Sequence, residues 1–195
     1  PAVIFHAARL VGVVALLACI YLLVAFLSPR RAVRWAALLL ASLGSGLGWL
    51  VALMARSRPD YLLAPLRPPD YAPPPPHTWQ TMPEAVTFLS MLLNPLFVWS
   101  MTVMCLVLIA ALIAVERRSS GWAAVAGGLL LLVGNMHTYD VAVLHGALVV
   151  YALVLIRLGR LSRREAVVGY AIILAISAPA PFWAWWAARQ DPAYQ

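Results

Sequence analysis

The strongest constraint on this chain is the length of its uncharged apolar runs. Residues 10–27 and 96–115 contain no charged side chain. An apolar α-helix of about 18–20 residues is long enough to cross the ~30 Å hydrocarbon core of a bilayer. Hydrophobic residues make up 64% of the 195 residues and charged residues only 11%, whereas an average soluble domain is about 25% charged. This composition excludes a soluble enzyme, a disordered tail and a disulfide scaffold, and it predicts a helical membrane protein.

The apolar runs divide into about six predicted spans. The predicted fold class is all-α, a polytopic transmembrane helix bundle that forms one domain over residues 1–195. The spans cover about 5–27, 35–55, 84–115, 121–139, 141–156 and 166–188. Pro179 and Pro181 are expected to bend or break the last span, since proline lacks the N–H donor that a helix interior needs. Because the chain starts at Pro1 and enters a span almost at once, we expect it to be an interior piece of a longer protein.

The positions of the arginines orient these spans. The net charge is +7, and every basic residue is Arg. The arginines concentrate in three short loops, 28–34, 116–120 and 157–165, which alternate with the spans and so fall on one side of the membrane. The positive-inside rule makes that side cytoplasmic. The positive charge therefore indicates membrane topology and not nucleic-acid binding. We expect a multi-pass protein of the inner (plasma) membrane, with the lipid bilayer as its first partner.

The long loop 56–83 falls on the opposite, extracytoplasmic side and is rich in proline, including four in a row at 73–76. Proline disfavours regular helix and favours extended polyproline geometry. The loop is either a stiff interfacial connector or a lid over an extracytoplasmic site. The glycines of 44–48 indicate close helix packing or a local kink, and not a phosphate loop, because no strand precedes them.

A polar stretch interrupts the apolar sequence at 134–140 and carries Asn135, His137, Tyr139 and Asp140. Ionisable groups near membrane depth survive when they are buried in protein or line a wet cavity, and they indicate function by default. The alternative for Asp140 is that it only caps the helix that follows. His145, deeper in the same span, is read as a neutral packing histidine.

Further polar residues fall on the same side. Glu84 follows Pro83, and Asn94 precedes Pro95, so residues 84–95 predict a short broken or re-entrant helix. Glu84 either complements the helix dipole or faces the cavity. Arg9, with His6 one turn earlier, either snorkels to the interface or binds a phosphate with its planar guanidinium.

The sequence indicates no metal site, because His137 and Asp140 have i,i+3 spacing but no second Asp or Glu lies nearby in sequence. Cys19 and Cys105 lie in apolar runs and are read as small buried hydrophobes. A compact polar cluster beside a bilayer suits a lipid-linked phosphate ester, whose apolar tail stays in lipid while its head group enters the cavity.

Several segments resemble one family. They are ARLVGVVALLACIYLLVAFL, LASLGSGLGWL, PEAVTFLSMLLNPLFVWSM, GNMHTYDVAVLHGALVVYALVL and DPAYQ. With the short motifs GSGLGW, PE-x₂-TF…NP-x-F and H-x-YD, the chain resembles poorly characterised bacterial GT-C-fold polytopic glycosyltransferases, which are related in architecture to protein mannosyltransferases. The resemblance covers most of the chain.

The resemblance implies an enzyme that moves a sugar from a polyprenyl-phosphate donor to an acceptor on the extracytoplasmic face, with a divalent cation as one way to stabilise the departing phosphate. The catalytic acids that such families carry after their first helix have no counterpart here. The residues assigned to catalysis are Asp140, His137 and Glu84, and those assigned to substrate binding are Arg9, Asn94, Asn135, Tyr139 and His6. A transporter or channel subunit and a non-catalytic membrane scaffold are the competing functions.

Overall fold

The structure is a computed structural model, and it describes residues 2–43 and 95–190. Within these ranges the regular secondary structure is entirely α-helical. The helices are α1 Ala2–Leu27, α2 Arg31–Leu43, α3 Pro95–Glu116, α4 Ser120–Met136, α5 Thr138–Arg157, α6 Arg163–Ser177 and α7 Pro179–Gln190. The predicted loop 56–83, the glycines of 44–48, the broken helix before Pro95 and most of the second predicted span lie outside the described residues.

Three helices are long and apolar enough to cross a membrane: Val3–Leu27 within α1, and the whole of α3 and α5. Helices α6 and α7 together form a fourth candidate, a pair bent by 41°. Helix α4 is apolar but has only 17 residues. The apolar helices confirm a helical membrane protein, while the count of about six spans stays a prediction.

The predicted break in the last span is confirmed. Helix α6 ends at Ser177 and α7 begins at Pro179, because proline removes a backbone donor but fits the first position of a new helix. Helix α7 exposes Phe182, Trp183, Trp185 and Trp186, and the Arg189 guanidinium lies 4.2 Å from the centre of the Trp185 ring. The bend thus joins an apolar helix to a short aromatic one.

Helix α4 lies at the centre of the bundle and packs most extensively on α3 and α6. Its glycines make this possible. A Cβ on Gly127 would lie 3.0 Å from Cβ of Ile176, and a Cβ on Gly134 would lie 2.6 Å from Cβ of Ala180. Small residues let helix backbones approach closely where lipid supplies no hydrophobic driving force between helices. The main core surrounds this contact and includes Val107, Ala110, Ala126, Leu130, Val133, Leu144 and Ile173.

Helices α1 and α3 run side by side in the same direction. Gly12 approaches Val98 and Trp99, and Leu16 and Val98 form a second buried cluster. The Trp99 indole N–H donates a hydrogen bond to the backbone carbonyl of Ala8 at 3.2 Å. This contact fixes the N-terminal part of α1 beside the start of α3.

The arginine-bearing loops share one end of the bundle. The Arg118 guanidinium lies 3.0 Å from the Glu165 carboxylate, and Leu27, Leu112 and Tyr151 line one groove. The ends of α1, α3 and α5 therefore meet the starts of α4 and α6 at what we call the arginine end. The common location of the three loops is confirmed, and the side of the membrane that they face stays a prediction.

The close contact at Gly134 leads to a first prediction. Gly134→Ala should lower the free energy of unfolding by about 1–3 kcal/mol, because the added methyl group has no room beside Ala180. Gly128→Ala is the matched control, since a Cβ there meets no atom of the described residues within 4 Å and alanine is the better helix former. Thermal unfolding in detergent measures both, and equal stability of the two variants would contradict the packing described.

Candidate functional site

The polar stretch at 134–140 forms a tight connection between α4 and α5, and we call residues 137–140 the elbow. His137 is its only non-helical residue, with extended backbone at φ −147° and ψ 91°. Its N–H donates to the carbonyl of Val133 at 2.7 Å, and its carbonyl accepts from the N–H of Asp140 at 3.1 Å. The Thr138 hydroxyl donates to the carbonyl of Gly134 at 3.0 Å. Protein groups therefore satisfy much of the backbone at the break, as an apolar environment demands.

Asp140 does not cap α5. The N-cap is His137, which makes no side-chain capping bond, and Asp140 lies in the first helical turn. Its Oδ2 accepts a hydrogen bond of 3.4 Å from the Ser100 hydroxyl of α3. The carboxylate still complements the positive end of the helix dipole, but a contact with another helix also holds it in place.

His137 is held between α3 and α5. Its Nδ1 shares a hydrogen bond of 2.8 Å with the Tyr139 hydroxyl, and its ring centre lies 4.6 Å from that of Phe97. Its Nε2 is buried and has no hydrogen-bond partner within residues 2–43 and 95–190. Depending on the tautomer, Nε2 offers either a donor or an acceptor.

The other predicted site residues are more dispersed. Asn135 is exposed, and its amide donates to the carbonyl of Leu131 on its own helix at 2.9 Å. Tyr139 is 60% exposed. His6 is exposed and Arg9 is half-buried; both lie on α1 near Ala8, which the hydrogen bond from Trp99 ties to α3. The structure thus brings His137, Tyr139 and Asp140 together at one end of the bundle, with His6 and Arg9 on a helix that reaches the same end.

Two of the predicted residues, Glu84 and Asn94, lie outside the described residues. Ser100 and Phe97 were missed by the sequence reasoning, although they hold the two elbow side chains from α3. Ser100 is only 2% exposed, and the one signal for it was a hydroxyl within an otherwise apolar run.

A second polar pair lies deeper along α5. His145 Nε2 is 3.1 Å from the Ser177 hydroxyl, and its ring contacts Tyr170 edge-on with the ring centres 5.5 Å apart. Ser177 has no exposed surface, and His145 Nδ1 is buried without a hydrogen-bond partner among the described residues. His145 is therefore more than the packing residue that the sequence predicts. Its hydrogen bond to Ser177 links α5 to the bend between α6 and α7.

Across the two described ranges, no group of three or more His, Cys, Asp and Glu side chains is placed to hold a metal ion. The elbow offers one carboxylate and one imidazole. That set can orient hydroxyl groups, exchange a proton or meet a phosphate oxygen.

Comparison with protein-family models, with curated proteins and with solved structures found no match for the chain.

The tie between His137 and Tyr139 yields a second prediction. Tyr139→Phe removes the hydroxyl from Nδ1 of His137 and should lower the free energy of unfolding by about 1 kcal/mol, the usual net value of one hydrogen bond. Tyr21→Phe is the control, since Tyr21 packs through its ring on Trp35, with the ring centres 5.7 Å apart. Thermal melts of both variants in the same detergent measure the difference, and an equal loss in both would mean that the Tyr139 hydroxyl does not support the elbow.

Proposed function

We propose that this chain is part of a GT-C-type membrane glycosyltransferase, a multi-pass protein of the inner membrane that transfers a sugar from a polyprenyl-phosphate donor to an acceptor at the extracytoplasmic face. The observation that carries the proposal is the joint placement of Asp140 and His137. Both lie at the end of the bundle opposite the arginine loops, and both are held from α3, by Ser100 and Phe97. The motif resemblance around GNMHTYD supports the same assignment.

In this proposal, Asp140 orients the acceptor hydroxyl and takes its proton as general base. The acceptor oxygen forms a bond to the anomeric carbon, while the bond from that carbon to the phosphate oxygen breaks. The transition state has oxocarbenium character, and the electron pair of the broken bond leaves with the polyprenyl phosphate. The Ser100 hydroxyl, which donates to Asp140 Oδ2, keeps the carboxylate in position.

The departing phosphate needs positive charge or hydrogen-bond donors. His137 can supply one donor through Nε2, which is buried and has no partner among the described residues, when Nδ1 accepts from Tyr139. Arg9 provides a guanidinium on the neighbouring α1, and a divalent cation is a further way to stabilise the charge. Tyr139 is proposed to contribute to the same site through its hydroxyl. The other proposed contributors are Glu84, Asn94, Asn135 and His6.

A transporter is the second candidate, and one observation favours it. The His145–Ser177 pair lies beside a 41° bend between two apolar helices. Broken helices and ionisable residues within the membrane are typical of transport pathways. A non-catalytic scaffold, in contrast, should tolerate loss of both polar sites.

The decisive experiment compares the two polar sites in the full-length protein. Asp140→Asn and His137→Ala should each lower the rate of sugar transfer from polyprenyl-phosphate glucose or mannose by about a hundredfold or more, because each removes a group that acts on the reacting atoms. Glu116→Gln, which removes a carboxylate at the arginine end, should leave the rate unchanged. Membrane expression and thermal unfolding check that the variants fold.

Several results would count against the enzyme. Wild-type membranes that transfer neither sugar, or elbow variants that keep full activity, would remove the elbow from a catalytic role. Loss of solute uptake on His145→Gln, with sugar transfer absent throughout, would favour the transporter.

A further inference from the structure

A cavity of about 570 Å³ lies at the arginine end, between α3, α4, α5 and α6. Ala111, Leu148 and Ile173 contribute to its apolar walls. It is at the opposite end of the bundle from the elbow, and the proposed sugar transfer makes no use of it.

Positive charge surrounds the mouth of this cavity. Arg118 and Arg164 both border it. The helices α4 and α6 also begin here, at the N-caps Ser119 and Ser162, and helix N-termini carry partial positive charge. The acid at the mouth is Glu165, which is already bound by Arg118 at 3.0 Å and by the Ser162 hydroxyl at 2.7 Å. The mouth as a whole therefore favours an anion.

Arg118 has a backbone conformation that is unusual for a residue with a side chain. Arg118 has a left-handed φ of 49°, directly after α3, and Gly159 has the equivalent φ of 67° after α5. Each turn is closed by the same bonds of the Schellman type, for example from the N–H of Ser119 to the carbonyl of Ala114 at 2.9 Å. Glycine is the usual residue at this position because it has no Cβ. The α3 turn carries an arginine there, whose guanidinium reaches Glu165 at the mouth of the cavity.

A second apolar space adjoins the cavity. A groove of about 190 Å³ lies between α1, α3 and α5, with Leu23 and Leu108 among its lining residues. Leu148 and Tyr151 line both the groove and the cavity. The cavity with the charged mouth therefore has a second apolar space beside it, on the other side of these shared side chains.

We infer that this cavity binds an anionic glycerophospholipid, with its phosphate at Arg118 and Arg164 and its acyl chains in the cavity and the adjoining groove. Apolar walls do not suit a hydrated, soluble phosphate compound, because burying its polar groups without partners is costly. Two compartments suit two acyl chains better than the single chain of a polyprenyl phosphate. Basic pockets between helices on the cytoplasmic side are a recognised setting for acidic lipid head groups. The inference does not depend on the proposed sugar transfer.

The first test exchanges arginines in pairs. Full-length protein in a neutral detergent is titrated with phosphatidylglycerol, and binding is measured by calorimetry and native mass spectrometry. Arg118→Gln with Arg164→Gln should weaken binding by about tenfold or more. Arg117→Gln with Arg163→Gln is the matched control, because it removes the same charge from adjacent residues that do not line the cavity, and it should change affinity by no more than about twofold.

The second test leaves the charge unchanged and covers the case in which the arginine pair fails to fold. Gly169 borders the cavity, and a Cβ there meets no described atom within 4 Å, so Gly169→Leu should occupy the space that the lipid needs. Gly146→Leu is its control, since that glycine is equally open to the described residues and is not among the residues that line the cavity. We expect several-fold weaker binding of phosphatidylglycerol for Gly169→Leu alone, with similar unfolding temperatures for both.

Each alternative has its own result. Equal effects of the two arginine pairs would mean non-specific attraction to surface charge. Equal affinity for phosphatidylcholine, tighter binding of undecaprenyl phosphate, or displacement of phosphatidylglycerol by inorganic phosphate would each overturn the inference. So would wild-type affinity for phosphatidylglycerol in Gly169→Leu.

Discussion

The close contact between α4 and its neighbours is the interaction on which the rest of the described bundle depends. Apolar side chains gain little by leaving lipid for a helix interface, so van der Waals contact between closely approaching backbones must hold the helices together. Gly127 and Gly134 allow that approach to α6 and α7. The same helix ends in the elbow and begins beside the mouth of the arginine-end cavity. The packing of α4 thus positions both the elbow and the cavity at the arginine end.

At both helix breaks, polar side chains are hydrogen-bonded to other groups of the protein. At the elbow, the Thr138 hydroxyl donates to the carbonyl of Gly134, and the N–H of Asp140 donates to the carbonyl of His137. At the second break, Ser177 is bonded by His145 and by the carbonyl of Leu174. Near each break one imidazole nitrogen, on His137 and on His145, is buried and has no hydrogen-bond partner in the part of the chain that the structure describes. Buried polar groups without partners are rare in folded proteins.

Local signals in the sequence predicted the helical membrane class, the common end of the arginine loops and the break at Pro179, because apolar length, charge and proline act over a few residues. The partner of Asp140 could not be predicted, since Ser100 is 40 residues away in sequence and apolar periodicity does not determine which spans become neighbours. The capping alternative for Asp140 failed because the break contains a single residue, His137, and not the whole polar stretch. The cavity was missed because the arginines were read as topology alone.

The aromatic surface of α7 has a mechanical consequence. Exposed Trp183, Trp185 and Trp186 favour the level of the lipid head groups, where an indole ring meets both water and hydrocarbon. Helix α7 is joined to α4 by the contact between Ala180 and Gly134, three residues before His137. Because α7 and α4 are packed together, contact of these tryptophans with lipid head groups would set the depth of the imidazole and the carboxylate in a bilayer.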